Sequence, residues 1–168
     1  MGNFITVQES LVVPTGNVGV AWTGQAGFAF KDTSGLVYHV DPYLSNVCSK
    51  YMGYHRVISP PVDANNLITD VILFTHEHRD HLDPESVPLI EVKNPSTMFV
   101  GPPTCISILL ELGISSNRLI SIKRGEEKKI GHAKVQAVLA HHTDDSVGYV
   151  FNFGGIKIYV TGDTIYSK

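Results

Sequence analysis

Within Thr75-His76-Glu77-His78-Arg79-Asp80-His81 the chain sets three imidazoles and the carboxylate of Asp80 into six residues. Imidazole nitrogen and carboxylate oxygen are ligands for zinc, and equally for manganese or iron, so these residue types name a class of metal rather than one member of it. On an extended or turning segment His76 and His78 point the same way, because side chains repeat with a period of two. Asp80 and His81 follow a change of direction and face a second point nearby. That arrangement suits two adjacent cations better than one. A loop rich in histidine by accident rarely sets its ligands in this order directly behind an apolar strand.

The strand in question is Asp70-Val71-Ile72-Leu73-Phe74, an apolar run with the length of a buried strand. Two further strand ends carry candidate ligands. His141 and His142 follow a predicted strand at Ala133–Leu139, and Asp163 follows another at Ile156–Val160. Ends lined up on one edge of a sheet are where a site is assembled from distant sequence. Asp41 closes a predicted strand over residues 36–41 just before Pro42, which makes it either a turn cap or a carboxylate held at the edge where the chain must turn.

Elsewhere, residues 18–22 and 28–31 read as strands that form a meander with 36–41, turned by Gly24-Gln25-Ala26-Gly27 and Asp32-Thr33-Ser34-Gly35. Residues 44–67 lack a clean period and contain Gly53, Pro60 and Pro61, so they read as a long loop bordering the site. Within it Arg56 is a candidate substrate contact, since its fork suits phosphate or carboxylate, although solvation is the commoner fate of such an arginine. Helices are predicted over 85–92 and from Pro103, where Ile106, Leu109 and Leu110 share a face and Gly113 follows. Strands are predicted at 97–100, 118–122, 128–130, 133–139, 147–153 and 156–160. Many strands and few helices indicate an α/β architecture built on a mixed or antiparallel sheet.

The 168 residues are 43% hydrophobic and 17% charged with a formal charge of -3, which fits one globular domain and supplies no basic stripe for nucleic acid. No apolar run approaches the roughly 20 residues of a membrane span, and a cytoplasmic location is expected. Cys48 and Cys105 are the only cysteines and form no Cys-x-x-Cys pair, which argues against a disulfide framework.

Thr-His-x-His-x-Asp-His behind a strand resembles the signature of the metallo-β-lactamase-fold hydrolases, and it stands intact at Thr75 to His81. Trp22 to Phe28, Asp41 to Ser45, Gly101 to Cys105 and Thr161-Gly162-Asp163-Thr164 with Tyr166 are similar to the branch containing L-ascorbate-6-phosphate lactonase. The resemblance implies an α/β fold, the αββα sandwich, of which residues 1–168 form a single domain covering the amino-terminal half. It implies His76, His78 and His142 on a first metal, with Asp80, His81 and Asp163 on a second and Asp163 able to bridge. His142 is preferred over His141 because the family ligand directly precedes a small hydroxyl or polar residue, here Thr143; His141 then lines the pocket. Asp41 is implied beneath the centre, orienting a ligand. One or two divalent ions are expected, zinc or manganese, with iron as the alternative. Three histidines leave zinc an open position for water, whose pKa falls from near 16 to about 7, and Asp80 is placed to orient that nucleophile or carry its proton.

The implied activity is hydrolysis of a small ester or lactone. A phosphodiesterase acting on a small phosphodiester, iron redox chemistry, and a metal-binding half-domain inactive alone are the alternatives. Because the sequence stops at Tyr166-Ser167-Lys168, the resemblance also implies a missing second half, with its later histidine for the second metal. Pairing with that half or with another copy is expected, since Val20, Trp22, Phe28 and Phe30 would otherwise be partly exposed.

Overall fold

Apolar runs with a period of two become ten strands in two sheets across residues 4–166, the part of the chain described by the computed structural model. The first sheet holds β1 (Gly19–Gly24), β2 (Gly27–Lys31), β3 (Val37–Val40), β4 (Val71–Leu73), β5 (Met98–Gly101) and β6 (Leu119–Ser121), in that spatial order. It is antiparallel from β1 to β3 and parallel from β3 to β6. The second sheet holds β7 (Glu127–Ile130), β8 (Ala133–Leu139), β9 (Val147–Phe153) and β10 (Ile156–Val160) as an antiparallel meander.

Burial follows the side-chain pattern. Along β8, Ala133, Val135 and Ala137 are buried while Lys134 and Gln136 are exposed, so this sheet turns one face inward. Strand β4 is buried on both faces: Val71 and Leu73 meet Tyr149 and Phe151 between the sheets, whereas Ile72 joins Phe99, Ile90 and Leu109 under the helices. Those helices are α3 (Val87–Lys93) and α4 (Pro103–Glu111), which makes the layers helix, sheet, sheet. The fold is that of an α/β protein, as expected, with the sheet divided into one mixed and one antiparallel layer.

Two helices escape the sequence pattern. Helix α1 (Phe4–Ser10) has no buried residue and is tied down by Lys31 Nζ, which donates to the carbonyls of Gln8 (2.7 Å) and Glu9 (3.1 Å) near its end. Helix α2 (Val47–Met52) interrupts the stretch read as a loop, and Gly53 closes it in the left-handed region at φ 74°. Six residues are too few to display a helical period. A second difference concerns Phe30, which is buried rather than partly exposed: its ring lies 5.2 Å from that of Phe151 and 6.2 Å from that of Phe153. On the edge strand β1, Val20 and Trp22 remain about half exposed, and Phe28 is half-buried. Among the described residues no helix is long and apolar enough to cross a membrane.

His39 on β3 is fully buried, with Nδ1 3.0 Å from Thr69 Oγ1 and Nε2 without a partner, and burial lowers its pKa from 6.5 to about 3. Below about pH 6.5 the unfolded chain takes up a proton that the folded chain refuses, so stability is present above that pH and is lost as pH falls toward 3. Between pH 7 and pH 5 the loss from this group is about 2 kcal/mol. Urea unfolding at the two pH values should show a loss of stability smaller by about 2 kcal/mol in His39→Leu than in the native protein.

Candidate metal centre

Strand register delivers the central carboxylate. Val40 pairs with Leu73 in parallel, and Asp41 N donates to Leu73 O at 3.0 Å, so the residue after β3 arrives beside the residues after β4. Asp41 adopts φ 48°, a left-handed conformation that aspartate tolerates better than most side chains. Its buried carboxylate accepts three hydrogen bonds, from Thr75 N (2.8 Å), Thr75 Oγ1 (2.7 Å) and His81 Nδ1 (2.8 Å).

Those bonds fix two imidazole tautomers. The carboxylate only accepts, so His81 carries its proton on Nδ1 and presents a bare Nε2 toward Asp163 Oδ1, 3.3 Å away. Thr75 gives its one hydroxyl proton to Asp41 and must therefore accept from His76 Nδ1 at 3.0 Å, which leaves His76 Nε2 as a lone pair. That nitrogen is buried and has no hydrogen-bond partner. Burial, then repulsion from His81 and His78, lowers the His76 pKa to about 4 and keeps the ring neutral. Burial also opposes protonation of His81, but Asp41, Asp163 and Asp80 outweigh it and its pKa is raised.

Donor atoms converge in two overlapping groups, each within 4.8 Å: His76, His78 and His142, and His76, His81 and Asp163. His142 Nε2 lies 3.0 Å from His78 Nδ1 and 3.7 Å from Asp163 Oδ2. An orphaned buried imidazole nitrogen, facing other histidines and a carboxylate, fits a borderline divalent ion. His76, His78, His142, His81 and Asp163 would hold it. Asp80 stands beside the groups rather than in them, with Oδ2 4.0 Å from His81 Nε2.

Convergence depends on strands β8 and β10, which both run antiparallel to β9 and so end on the same edge, presenting His142 and Asp163. Val147 N donates to Thr75 O (2.9 Å), and Tyr149 Oη donates to Phe74 O (2.7 Å), pinning the second sheet beneath the histidine loop. Gly162 passes so close that a Cβ there would sit 2.8 Å from Thr75 Cβ, and its φ is +58°, so a side chain at this position would push Asp163 away.

Several supporting residues carry no motif signal. Arg124 donates from Nε to Ser146 O (2.9 Å) and from Nη2 to Thr143 O (3.0 Å) and Ala140 O (3.4 Å), clamping the loop that bears His142. Thr143 Oγ1 donates to Glu77 Oε2 (2.9 Å), joining that loop to the histidine motif. Asp83 accepts from the backbone of Leu44, Ser45, Glu85 and Ser86, tying the segment after Asp41 to the segment after His81. Its one legible signal was Asp-Pro-Glu-Ser, an acceptor just ahead of a proline that opens a helical turn. Arg124→Ala should weaken metal binding about tenfold, within the range of lost outer contacts, while lowering stability by only about 1 kcal/mol. Metal competition with a chelator and thermal unfolding of the apo-protein check the two halves of that expectation.

Other candidates lie elsewhere. The guanidinium of Arg56 stacks 3.9 Å from the centre of the Tyr43 ring and donates to the carbonyls of Tyr43 and Ser45, so it braces the loop after Asp41. His141 is exposed; its amide binds Thr164 Oγ1 and its carbonyl accepts from Ile165 N, so the backbone rather than the ring makes its hydrogen bonds.

Against known families, residues 19–168 match the Beta-lactamase superfamily domain. The chain belongs to the metallo-β-lactamase superfamily. Its relatives within that superfamily include the UPF0173 metal-dependent hydrolase of Polynucleobacter asymbioticus, 28% identical over 89% of this chain and 57% of that protein. Another is the Escherichia coli protein named "Probable L-ascorbate-6-phosphate lactonase UlaG", 29% identical over 59% of this chain and 34% of its own length. The chain thus spans between a third and three-fifths of these relatives. The diiron β-hydroxylase CmlA of Streptomyces venezuelae shares the fold, with a TM-score of 0.66 at 22% identity over 90% of this chain and 30% of that one.

Proposed function

We propose that this metallo-β-lactamase-fold chain belongs to a metal-dependent hydrolase that opens a small ester or lactone. The observation that carries the reading is the convergence of imidazole nitrogens, above all the buried, unpartnered His76 Nε2, with Asp163 on one strand edge. A divalent ion held there, zinc or manganese in this reading, supplies Lewis acidity and lowers the pKa of a coordinated water to about 7. Asp163 reaches toward both groups, 3.3 Å from His81 Nε2 and 3.7 Å from His142 Nε2, and is suited to bridge them. Asp80 is half-exposed at the mouth of the cleft, where a carboxylate can orient the attacking water and take its proton. The free, buried thiols of Cys48 and Cys105 favour a reducing, cytoplasmic location.

Side-by-side assays on zinc-loaded and manganese-loaded protein, with a sugar lactone, phenyl acetate and bis(4-nitrophenyl) phosphate, test the proposal. Faster turnover of the lactone or ester is expected. Preferential cleavage of the phosphodiester would replace it with the phosphodiesterase reading. Redox-active iron in protein purified without added metal would instead favour oxidative chemistry.

A further inference from the structure

Beside the candidate centre the surface is unusual in composition. Helix α2 and the residue after its Gly53 cap present Tyr51, Met52 and Tyr54, which are 61%, 52% and 68% exposed, as three large apolar side chains in a stretch of four residues. Scattered single exposures of this kind are ordinary, but an apolar wall at the rim of a polar cleft is a feature of ligand sites. Met52 and Tyr54 line the same cleft as His78, Asp80 and Asp163.

Among the described residues that line the cleft, Arg79 is a cation without a counter-ion. Arg79 lines it, and its guanidinium lies 5.5 Å from the centre of the Tyr51 ring. A guanidinium over a ring face is attracted to it electrostatically without using its hydrogen-bond donors. Among the described residues Arg79 forms no hydrogen bond or ion pair, although its neighbours in sequence include Glu77 and Asp80. Other cations nearby are held elsewhere: Lys50 pairs with Glu85 at 2.8 Å, and Arg56 donates to the carbonyls of Tyr43 and Ser45, its remaining Nη1 being buried.

We infer that Arg79 is a substrate-specificity residue that receives a carboxylate or phosphate group on a substrate whose flat or apolar body rests against Met52 and Tyr54. The inference rests on the hydrolase reading for the identity of the reacting bond, but the anion site itself does not need turnover. A bidentate arginine-oxyanion contact at a partly solvated rim is worth about tenfold in affinity.

Calorimetric titration of the protein with phenyl phosphate and with benzyl alcohol tests the binding step, both metal-free and zinc-loaded. Arg79→Ala should weaken phenyl phosphate about tenfold in the metal-free protein, Arg79→Glu should weaken it further, and Arg79→Lys should retain part of the affinity. Equal affinity in the native protein and in Arg79→Ala overturns the inference. On the zinc-loaded protein, the ratio of kcat/KM for 4-acetoxybenzoate to that for phenyl acetate should fall about tenfold in Arg79→Ala and lower still in Arg79→Glu. An unchanged ratio would also overturn it. Arg79-dependent binding without hydrolysis of either ester would sink the hydrolase reading and leave the anion site standing.

Discussion

Replacing His76 and His78 together with alanine is expected to reduce metal affinity by a hundredfold or more and to bring hydrolysis to background. His76 belongs to both donor groups, and His78 belongs to the one completed by His142, so the double change leaves His142, His81 and Asp163 with neither group intact. Loss of an outer contact alone is worth 10- to 100-fold in metal affinity, and two direct donors are worth more. Removal of His76 takes away an orphaned buried nitrogen, but also the Nδ1 bond to Thr75 Oγ1 and a fully buried ring, so the apo-protein should lose on the order of 2 kcal/mol. Elemental analysis after dialysis, together with the apo-protein unfolding midpoint, separates these effects. Retained metal and retained activity in the double variant would falsify the site.

Asp41→Asn is expected to lower metal affinity 10- to 100-fold and to destabilise the apo-protein by on the order of 3 kcal/mol. Asparagine accepts the left-handed backbone that Asp41 adopts at φ 48°, so the substitution isolates the carboxylate from the turn. An amide offers one accepting oxygen where three donors now arrive, from Thr75 N, Thr75 Oγ1 and His81 Nδ1. Its NH2 group must then face a donor, which frees the proton positions that keep His76 Nε2 and His81 Nε2 bare. Because the Asp41 carboxylate helps raise the His81 pKa, the variant should titrate His81 at lower pH, a shift that NMR of the metal-free protein reads directly. Metal affinity and His81 titration both unchanged would reduce Asp41 to a turn residue.

Much of the architecture was legible because its elements are local. The strand before Thr75, the helix from Pro103 to Glu111 and the alternation along β8 each declare themselves within a few residues. Helix α2 did not, because six residues carry too little period, and its apolar side chains Tyr51 and Met52 face outward rather than into a core. The burial of Phe30 depends on rings at Phe151 and Phe153, more than a hundred residues away, so nothing near it in sequence announces it.

For the site, residue types and spacing by themselves determined which donors exist and that they follow strands, and the resemblance grouped His76, His78 and His142; that His76 also joins His81 and Asp163, with Asp80 beside them, is decided by the folded chain. Three arginines illustrate the limit. Arg56, Arg79 and Arg124 have the same chemistry, yet one braces the Tyr43 loop, one stands over Tyr51 in the cleft, and one clamps the His142 loop. Their different uses are decided by which carbonyl or ring the folded chain brings within reach. Likewise His141 and His142 are equivalent by type and both exposed, yet the fold brings His142 Nε2 to 3.0 Å from His78 Nδ1 while His141 binds Thr164 and Ile165 through its backbone. Spacing fixes side-chain direction over a few residues. Distances across sheets are set by register and packing, and those exist only in the folded chain.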